Sequence, residues 1–242
     1  MDARQVAKET FERHLVNNAY PGRGLAVGRA SDDGGWLLVY FIMGRSENSR
    51  NRRFCADGDR LWTEPVDESK VEDPSLIIYD AMLALPGIQI VSNGDQTETV
   101  YEVMLEGGRF AAALETRERE PDAPNYTPRI TAKLDCRKGE KAVSLSLLKA
   151  NPVDPALTDR WTYRPADPPP GLAYGLTTYM GDGSPLPSYV GDPLLLPLDG
   201  SAEDVLAAYW KALDRDNRVS LAVKSVDDAG ELREVLIQNR HE

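Results

Sequence analysis

An uninterrupted apolar run, Trp36–Met43, lies directly before a charged segment and limits the folds open to this sequence. Eight residues are too few to cross a bilayer, so the run predicts a buried β-strand. The segment Arg23–Arg29 precedes it, and Asp32-Asp33-Gly34-Gly35 between the two favours a hairpin-type turn. The chain is therefore expected to build part of its core around this hairpin.

Elsewhere, hydrophobic periodicity and turn residues predict strands and helices in separate groups. A helix is predicted over 3–18, strands over 53–57 and 60–64, and a hairpin of 76–85 and 88–91. Helices follow over 95–105 and 109–118, strands over 129–135 and 141–149 with a turn at 138–140, a helix over 201–214, and a closing hairpin of 219–226 and 231–238. This grouping predicts an α+β layered fold rather than strict alternation of strand and helix.

Domain organisation follows from the same pass along the chain. No internal repeat or linker is evident, so residues 1–242 are expected to form a single domain, with 1–19 as an N-terminal helical extension. Residues 151–197 hold ten of the seventeen prolines. Because proline removes a backbone donor, this segment is predicted to be irregular, with at most one or two strands such as Leu172–Met180.

Charge and composition exclude several classes of function. A net charge of -11 argues against nucleic-acid binding, which needs a basic face. With only two histidines, His14 and His241, a histidine-based metal site or a Ser-His-Asp triad is not expected. The polar N-terminus and the two cysteines predict a cytoplasmic protein without membrane contact. No metal and no cofactor is predicted.

An arginine-rich segment, Gly44–Arg53, directly follows the apolar run. It places four arginines in nine positions with one carboxylate among them, in a protein that is otherwise acidic. The guanidinium fork matches phosphate and carboxylate, so arginines at the end of a core strand favour an anionic small-molecule ligand. A solvated charged loop is the alternative interpretation.

Two further segments carry polar groups suited to a site. Ser92-Asn93-Gly94-Asp95 lies where a strand meets a helix start, and Asp95 begins a capping-box pattern. Backbone N–H groups there suit an anion or, because Asp95 repels one, a neutral carboxamide or hydroxyl. The loop Glu118–Arg129 contains three prolines and several carboxylates, which could supply a general acid or base.

Cys55 is an alternative nucleophile because it lies two residues after Arg53, whose positive charge would lower the thiol pKa. A small, half-buried strand residue is the simpler interpretation, and it also applies to Cys136.

Five segments, in this order, resemble the archaeal-type IMP cyclohydrolase family and its bacterial relatives. The matching residues are Tyr20-Pro21-Gly22-Arg23-Gly24, Tyr40–Arg52, Asp73–Tyr79, Val91–Thr97 and Thr127-Pro128-Arg129-Ile130. A weaker similarity to the bacterial branch covers Thr178-Tyr179 and Gly183–Ser188. Relative to the archaeal members, this chain adds the N-terminal helix, extra residues in the arginine-rich loop and a longer C-terminal half.

The resemblance implies a four-layer αββα sandwich similar to N-terminal-nucleophile hydrolases, without their self-processed nucleophile. It also implies ring closure of a formamido-imidazole carboxamide ribotide, in which the carboxamide nitrogen attacks the formyl carbon and water leaves. By the same resemblance, Arg52, Tyr79 and Glu120 are the predicted catalytic residues. Residues predicted to bind substrate are Arg23, Arg45, Ser46, Asn51, Ser92, Asn93, Gly94, Asp95, Thr97 and Arg129.

The partner predicted on this basis is a small purine ribotide, and a homo-oligomer stays open. Two other classes of function remain. One is a different cyclising or amide-hydrolysing enzyme that uses Cys55 or Ser46 as nucleophile. The other is a purine nucleotide-binding protein without catalytic activity.

Overall fold

The predicted core hairpin is present in the computed structural model, which describes residues 2–31, 34–71, 74, 77–137 and 142–241. Strand β1 (Arg23–Arg29) pairs antiparallel with β2 (Trp36–Met43), and every residue of β2 is buried. The bounds of both strands are those predicted from the sequence. Within the predicted turn, Asp32 and Asp33 lie outside the described residues.

The hairpin belongs to the first of two antiparallel sheets. In spatial order this sheet contains β11 (Leu194–Pro197), β10 (Leu172–Thr177), β1, β2, β12 (Arg218–Val226) and β13 (Leu232–Asn239). The second sheet contains β3 (Arg53–Asp57), β4 (Arg60–Glu64), β5 (Asp80–Leu85), β6 (Ile88–Ser92), β7 (Arg129–Asp135), β8 (Val143–Ala150) and β9 (Thr158–Tyr163). One hydrophobic cluster draws on both sheets, so the main core lies between them.

Helices cover both sheets. Helix α1 (Ala3–Phe11) and helix α5 (Ala202–Ala212) pack on the first sheet. Helices α3 (Gln96–Leu105) and α4 (Phe110–Glu115) pack on the second, over a separate cluster that includes Ile88 and Leu148. The described layers therefore run helix, sheet, sheet, helix. Similarity to N-terminal-nucleophile hydrolases stays a prediction, as does the single domain.

Helices near the N-terminus differ in detail from the prediction. The helix expected over 3–18 is regular only to Phe11 and continues as a π-helical turn, Glu12–Val16. A single helical turn, α2 (Glu47–Arg50), lies in the arginine-rich segment and was not predicted. Among the described residues, no helix has the length and apolar character that a membrane span requires.

The prediction of at most two strands in 151–197 is wrong, because the segment contains three, β9, β10 and β11. Strands β9 and β11 each lie at the edge of a sheet. An edge strand needs backbone partners on one side only, so it tolerates flanking prolines and a terminal one such as Pro197. Of the other predicted strands and turns, residue 76, the turn at 138–140 and residue 141 lie outside the described residues.

Candidate active site

A cavity of about 270 Å³ opens where β1 begins and β2 ends. Its volume is close to the lower end of the range of about 300–1,000 Å³ for ligand pockets. Five of the predicted site residues line it: Arg23, Arg45, Ser46, Arg52 and Glu120. The arginine-rich segment and the loop before β7 therefore converge on one space, although Arg52 and Glu120 are far apart in the sequence.

The floor of the cavity carries buried charges. The Arg23 guanidinium and the Glu120 carboxylate form an ion pair at 3.6 Å, with side chains 12% and 5% exposed. Arg52 is 4% exposed, and its Nε donates to the carbonyl of Ser49 at 3.0 Å. Two guanidiniums and one carboxylate thus lie together in a poorly hydrated environment, where charge interactions are strong.

Burial and neighbouring charges shift the pKa values of these groups. Burial raises the pKa of the Glu120 carboxyl, against the attraction of Arg23 and Arg129. Burial is the largest influence on the pKa of Arg23 and acts to lower it, but Glu120 together with Tyr79, Tyr179 and Tyr40 outweighs burial, so the net shift is upward. For Arg52, burial and then the charge of Arg23 lower the pKa. A carboxyl with a raised pKa beside fixed positive charge is suited to proton transfer.

Arg45 lies at the rim of the cavity and connects it to the segment after β10. Its Nη1 pairs with the Asp182 carboxylate and donates to the carbonyl of Gly183 at 3.0 Å. The guanidinium lies over the ring of Tyr20, 5.0 Å from its centroid. Arg45 is therefore the most accessible of the three arginines that line the cavity.

Ser46 caps helix α2. Its hydroxyl accepts from the backbone N–H of Ser49 at 3.1 Å, and the Ser49 hydroxyl in turn accepts from the backbone N–H of Ser46 at 2.9 Å. This reciprocal pair satisfies backbone groups at the start of the turn. Ser46 therefore shapes the wall of the cavity, and its hydroxyl is engaged in capping rather than set up as a nucleophile.

Tyr79 lies behind the wall of the cavity and is not among its lining residues. Its hydroxyl is 2.7 Å from the hydroxyl of Tyr40, and both side chains are buried. Tyr79 is one of the groups that act to raise the pKa values of Arg23 and Arg52. A catalytic role for Tyr79 stays a prediction.

The turn around Asn93 lies outside the cavity, contrary to the prediction that it shares a site with the arginines. The Asn93 side chain donates to the carbonyl of Pro128 at 2.9 Å and accepts from the N–H of Ile130 at 2.8 Å and from Gln96 Nε2 at 3.0 Å. Its amide is therefore occupied by the protein itself. The physical reason is that β6 and β7 are neighbours, which brings the backbone of β7 against this turn.

The remaining residues of this turn also have structural partners. Ser92 and Thr97 bond to each other and to the carbonyl of Gly94. At Gly94 a Cβ would lie 2.6 Å from Arg129 Nη1, so close packing explains the glycine. The predicted capping role of Asp95 is wrong, because its side chain makes no cap hydrogen bond and instead pairs with Arg117 and Arg129.

Two more predicted binding residues lie elsewhere. Arg129 is held by Asp95, by Gln96 Oε1 at 2.6 Å and by the carbonyl of Glu118 at 2.8 Å. Asn51 forms a reciprocal pair with the backbone of Asp67, at 2.7 and 2.8 Å, and lines a different cavity. Both residues stabilise loops beside the candidate site rather than its walls.

Cys55 does not have the environment of a reactive thiol. Burial first, and then the hydrogen bond and charge of Glu64, raise the pKa of its thiol, although Arg53 opposes them. The expectation that Arg53 lowers this pKa overall is therefore wrong. Burial likewise raises the pKa of Cys136, to about 11.

Several cavity residues were not among the predicted site residues. Those with polar side chains are Tyr20, Asn48, Ser49, Asp122, Asn125, Thr127 and Tyr179. Tyr20 and Tyr179 have near-parallel rings with centroids 6.0 Å apart. At Gly22 (φ +78°) a Cβ would lie 2.2 Å from Thr178 Oγ1, so glycine is needed where this turn meets the segment of Tyr179. Most of them belong to the segments that carry the family resemblance, whereas Asp122 and Asn125 belong to the proline-containing loop Glu118–Arg129.

The arrangement as a whole offers anion binding, stabilisation of developing negative charge, and a carboxyl group for proton transfer. Across the described residues, no group of three or more His, Cys, Asp or Glu is arranged to hold a metal ion. That the protein works without metal or cofactor stays a prediction.

Comparison with known proteins gives two findings. Residues 20–230 match the family described as IMP cyclohydrolase-like protein. The chain is also similar to a protein named IMP cyclohydrolase from Methanothrix thermoacetophila, with 36% identity over 88 residues. That match spans 36% of this chain and 42% of the relative, so it covers less than half of each protein.

Proposed function

Because this chain belongs to the IMP cyclohydrolase-like family, we propose that it is an IMP cyclohydrolase. The proposed reaction converts 5-formamidoimidazole-4-carboxamide ribotide (FAICAR) to IMP with loss of water. The observation that carries the proposal is the joint burial of Arg23, Arg52 and Glu120 at the floor of one cavity.

Both reacting groups are on one molecule, so binding it in the folded-over conformer supplies much of the catalysis. The carboxamide nitrogen attacks the formyl carbon, and negative charge develops on the formyl oxygen. Buried guanidiniums stabilise such charge well, because they are already oriented and little water competes. Arg23 and Arg52 are therefore assigned to the developing oxyanion.

Arg45 is assigned to the 5′-phosphate. It is the most exposed of the three arginines that line the cavity. Its present partner, Asp182, is a surface carboxylate that a phosphate can replace. A phosphate group is large and strongly hydrated, so the rim suits it better than the floor. A guanidinium also binds phosphate through two parallel hydrogen bonds.

Glu120 is assigned to proton transfer. Ring closure removes one proton from the carboxamide nitrogen and one from the formamido nitrogen, and both leave with the formyl oxygen as water. A carboxyl group beside the reacting atoms can accept a proton from nitrogen and return it to oxygen. Arg23 holds the Glu120 carboxylate in place through the 3.6 Å ion pair.

The direct test is to supply FAICAR to the purified, folded protein and follow the formation of IMP optically. The proposal expects turnover well above the reaction in buffer. Absence of turnover in a folded protein would refute it. Binding of purine ribotides without product would instead favour the non-catalytic nucleotide-binding alternative.

A further inference from the structure

Three hydrogen-bonded side chains, Asp122, Thr127 and Tyr179, connect the loop before β7 with the segment after β10. Asp122 Oδ1 accepts from the backbone N–H of Thr127 at 2.6 Å, and Oδ2 accepts from the Thr127 hydroxyl. Thr127 Oγ1 also lies 2.5 Å from the hydroxyl oxygen of Tyr179. Thr127 and Tyr179 are 1% and 3% exposed, and all three residues line the cavity.

The number of hydroxyl protons fixes the direction of each hydrogen bond among these three side chains. A carboxylate only accepts, and a hydroxyl has a single proton to donate. The proton of Thr127 is given to Asp122, so Thr127 Oγ1 must accept the proton of Tyr179. The Tyr179 oxygen then has no proton left for a ligand and presents only lone pairs to the cavity.

The ring of Tyr179 is also held in place. It stacks on Tyr20, and the backbone N–H of Tyr179 donates to the carbonyl of Pro21 at 3.2 Å. The cavity therefore combines arginines, which only donate, and the Glu120 carboxylate with a neutral acceptor that is fixed on the segment after β10. A ligand that fits must present an N–H or O–H group to Tyr179.

We propose that Tyr179 is a specificity-determining residue that accepts a hydrogen bond from the carboxamide N–H of the ribotide. Asp122 and Thr127 are positioning residues that keep the Tyr179 oxygen an acceptor. This inference rests on the proposed function for its substrate class. It gives the site a means of preferring a carboxamide to the corresponding carboxylate, which the arginines alone would favour.

The test uses two ribotides that lack the formyl group and so cannot cyclise, 5-aminoimidazole-4-carboxamide ribotide and its 4-carboxylate analogue. Isothermal titration gives the ratio of their affinities for each variant. Tyr179→Phe keeps the stacked ring and should weaken carboxamide binding on the order of tenfold, the value of one good hydrogen bond, with little change for the carboxylate. Tyr163→Phe is the matched control, because its hydroxyl donates to Gly191 outside the cavity.

Asp122→Asn tests whether the Tyr179 oxygen acts as a hydrogen-bond acceptor. The Asn oxygen must accept from the Thr127 N–H, so its NH₂ group faces Thr127 Oγ1 and donates to it. The Thr127 proton then turns to Tyr179, whose own proton turns to the cavity. In Asp122→Asn, the preference for the carboxamide ribotide over the carboxylate ribotide should fall below that of Tyr179→Phe. The reason is that the Tyr179 hydroxyl becomes a donor to the ligand instead of an acceptor.

If Tyr179→Phe weakens the binding of both ribotides equally, the Tyr179 hydroxyl contacts the ribose or supports the fold instead. That result would overturn this inference but not the proposed function. An unchanged ratio of carboxamide to carboxylate affinity in Asp122→Asn would also overturn this inference. If Tyr179→Phe does not fold, the Asp122→Asn result is the deciding one. Failure of the wild type to bind either ribotide would overturn the proposed function together with the inference.

Discussion

The Arg23 guanidinium lies 3.6 Å from the Glu120 carboxylate at the floor of the cavity. Arg52 lines the same floor, so three buried groups carry two positive charges and one negative charge. Their excess of positive charge suits an anion or an atom that becomes negative during reaction. The carboxylate lowers that excess in the resting protein and is the group available for proton transfer.

Glu120→Gln should separate binding from turnover. Removal of one negative charge beside two guanidiniums strengthens anion binding, so IMP should bind more tightly than to the wild type. Loss of the proton acceptor should lower kcat by about 10²–10⁴-fold. Titration with IMP and steady-state assays with FAICAR measure the two effects. Weaker IMP binding together with unchanged kcat would show that Glu120 has neither role.

The raised pKa of Glu120 also predicts a pH dependence of stability. Its ordinary value is 4.5, and burial raises it in the folded protein. A carboxyl with a raised folded-state pKa contributes stability that is fully present below about 4.5 and is lost as pH rises through the folded-state value. Relative to Glu120→Gln, the wild type should therefore lose unfolding free energy as pH rises across this window.

Urea unfolding of both proteins at a series of pH values measures this difference. The same protonation should produce an acid limb in the pH profile of kcat/KM, with a midpoint above 4.5, that Glu120→Gln lacks. A difference in unfolding free energy that grows in favour of the wild type with pH would contradict the direction given for this pKa.

Cys55→Ser should leave kcat/KM unchanged within about twofold. The thiol lies outside the cavity, and burial with Glu64 raises its pKa, so little thiolate forms at neutral pH. Steady-state assays with FAICAR check this, with thermal unfolding as a control for folding. A loss of activity above tenfold in a folded variant would revive the nucleophile alternative.

Asn93→Ala should reduce stability rather than ribotide affinity. The substitution leaves the buried N–H of Ile130 and carbonyl of Pro128 without their partner. An unsatisfied buried polar group costs about 1–3 kcal/mol. Urea unfolding measures the loss, and titration with IMP at a temperature where the variant is folded should match the wild type. Weak IMP binding by an Asn93→Ala variant of normal stability would show that Asn93 contacts the ligand.

Local sequence patterns predicted the elements that depend on local chemistry. The apolar run of β2 and the glycine turn before it favour a hairpin, and the observed bounds of β1 and β2 are those predicted. The strands β9 and β11 were missed because prolines around them weaken the pattern. Their formation depends on pairing with β8 and β10, which is a tertiary effect.

The candidate site also combines residues that local sequence predicts with contacts that depend on the tertiary fold. Arginines at the end of a core strand indicated an anionic ligand, and Arg52 does line the cavity. Asn93 has the local signature of a binding turn, but the backbone groups of Pro128 and Ile130 occupy its amide. The contact between Thr127 and Tyr179 joins residues 52 positions apart, so no local pattern could reveal it.

The cavity that contains Arg52 is the proposed site of ring closure, and two variants of the arginine-rich segment test this assignment. Arg50 lies outside this cavity, and its side chain binds the carbonyl of Gly44 and Asn217 Oδ1. With FAICAR as substrate, Arg52→Ala should lower kcat/KM by about 10²–10³-fold, the value of one donor to an oxyanion, whereas Arg50→Ala should lower it less than about tenfold. Equal losses of kcat/KM in the two folded variants would show that ring closure does not take place in this cavity.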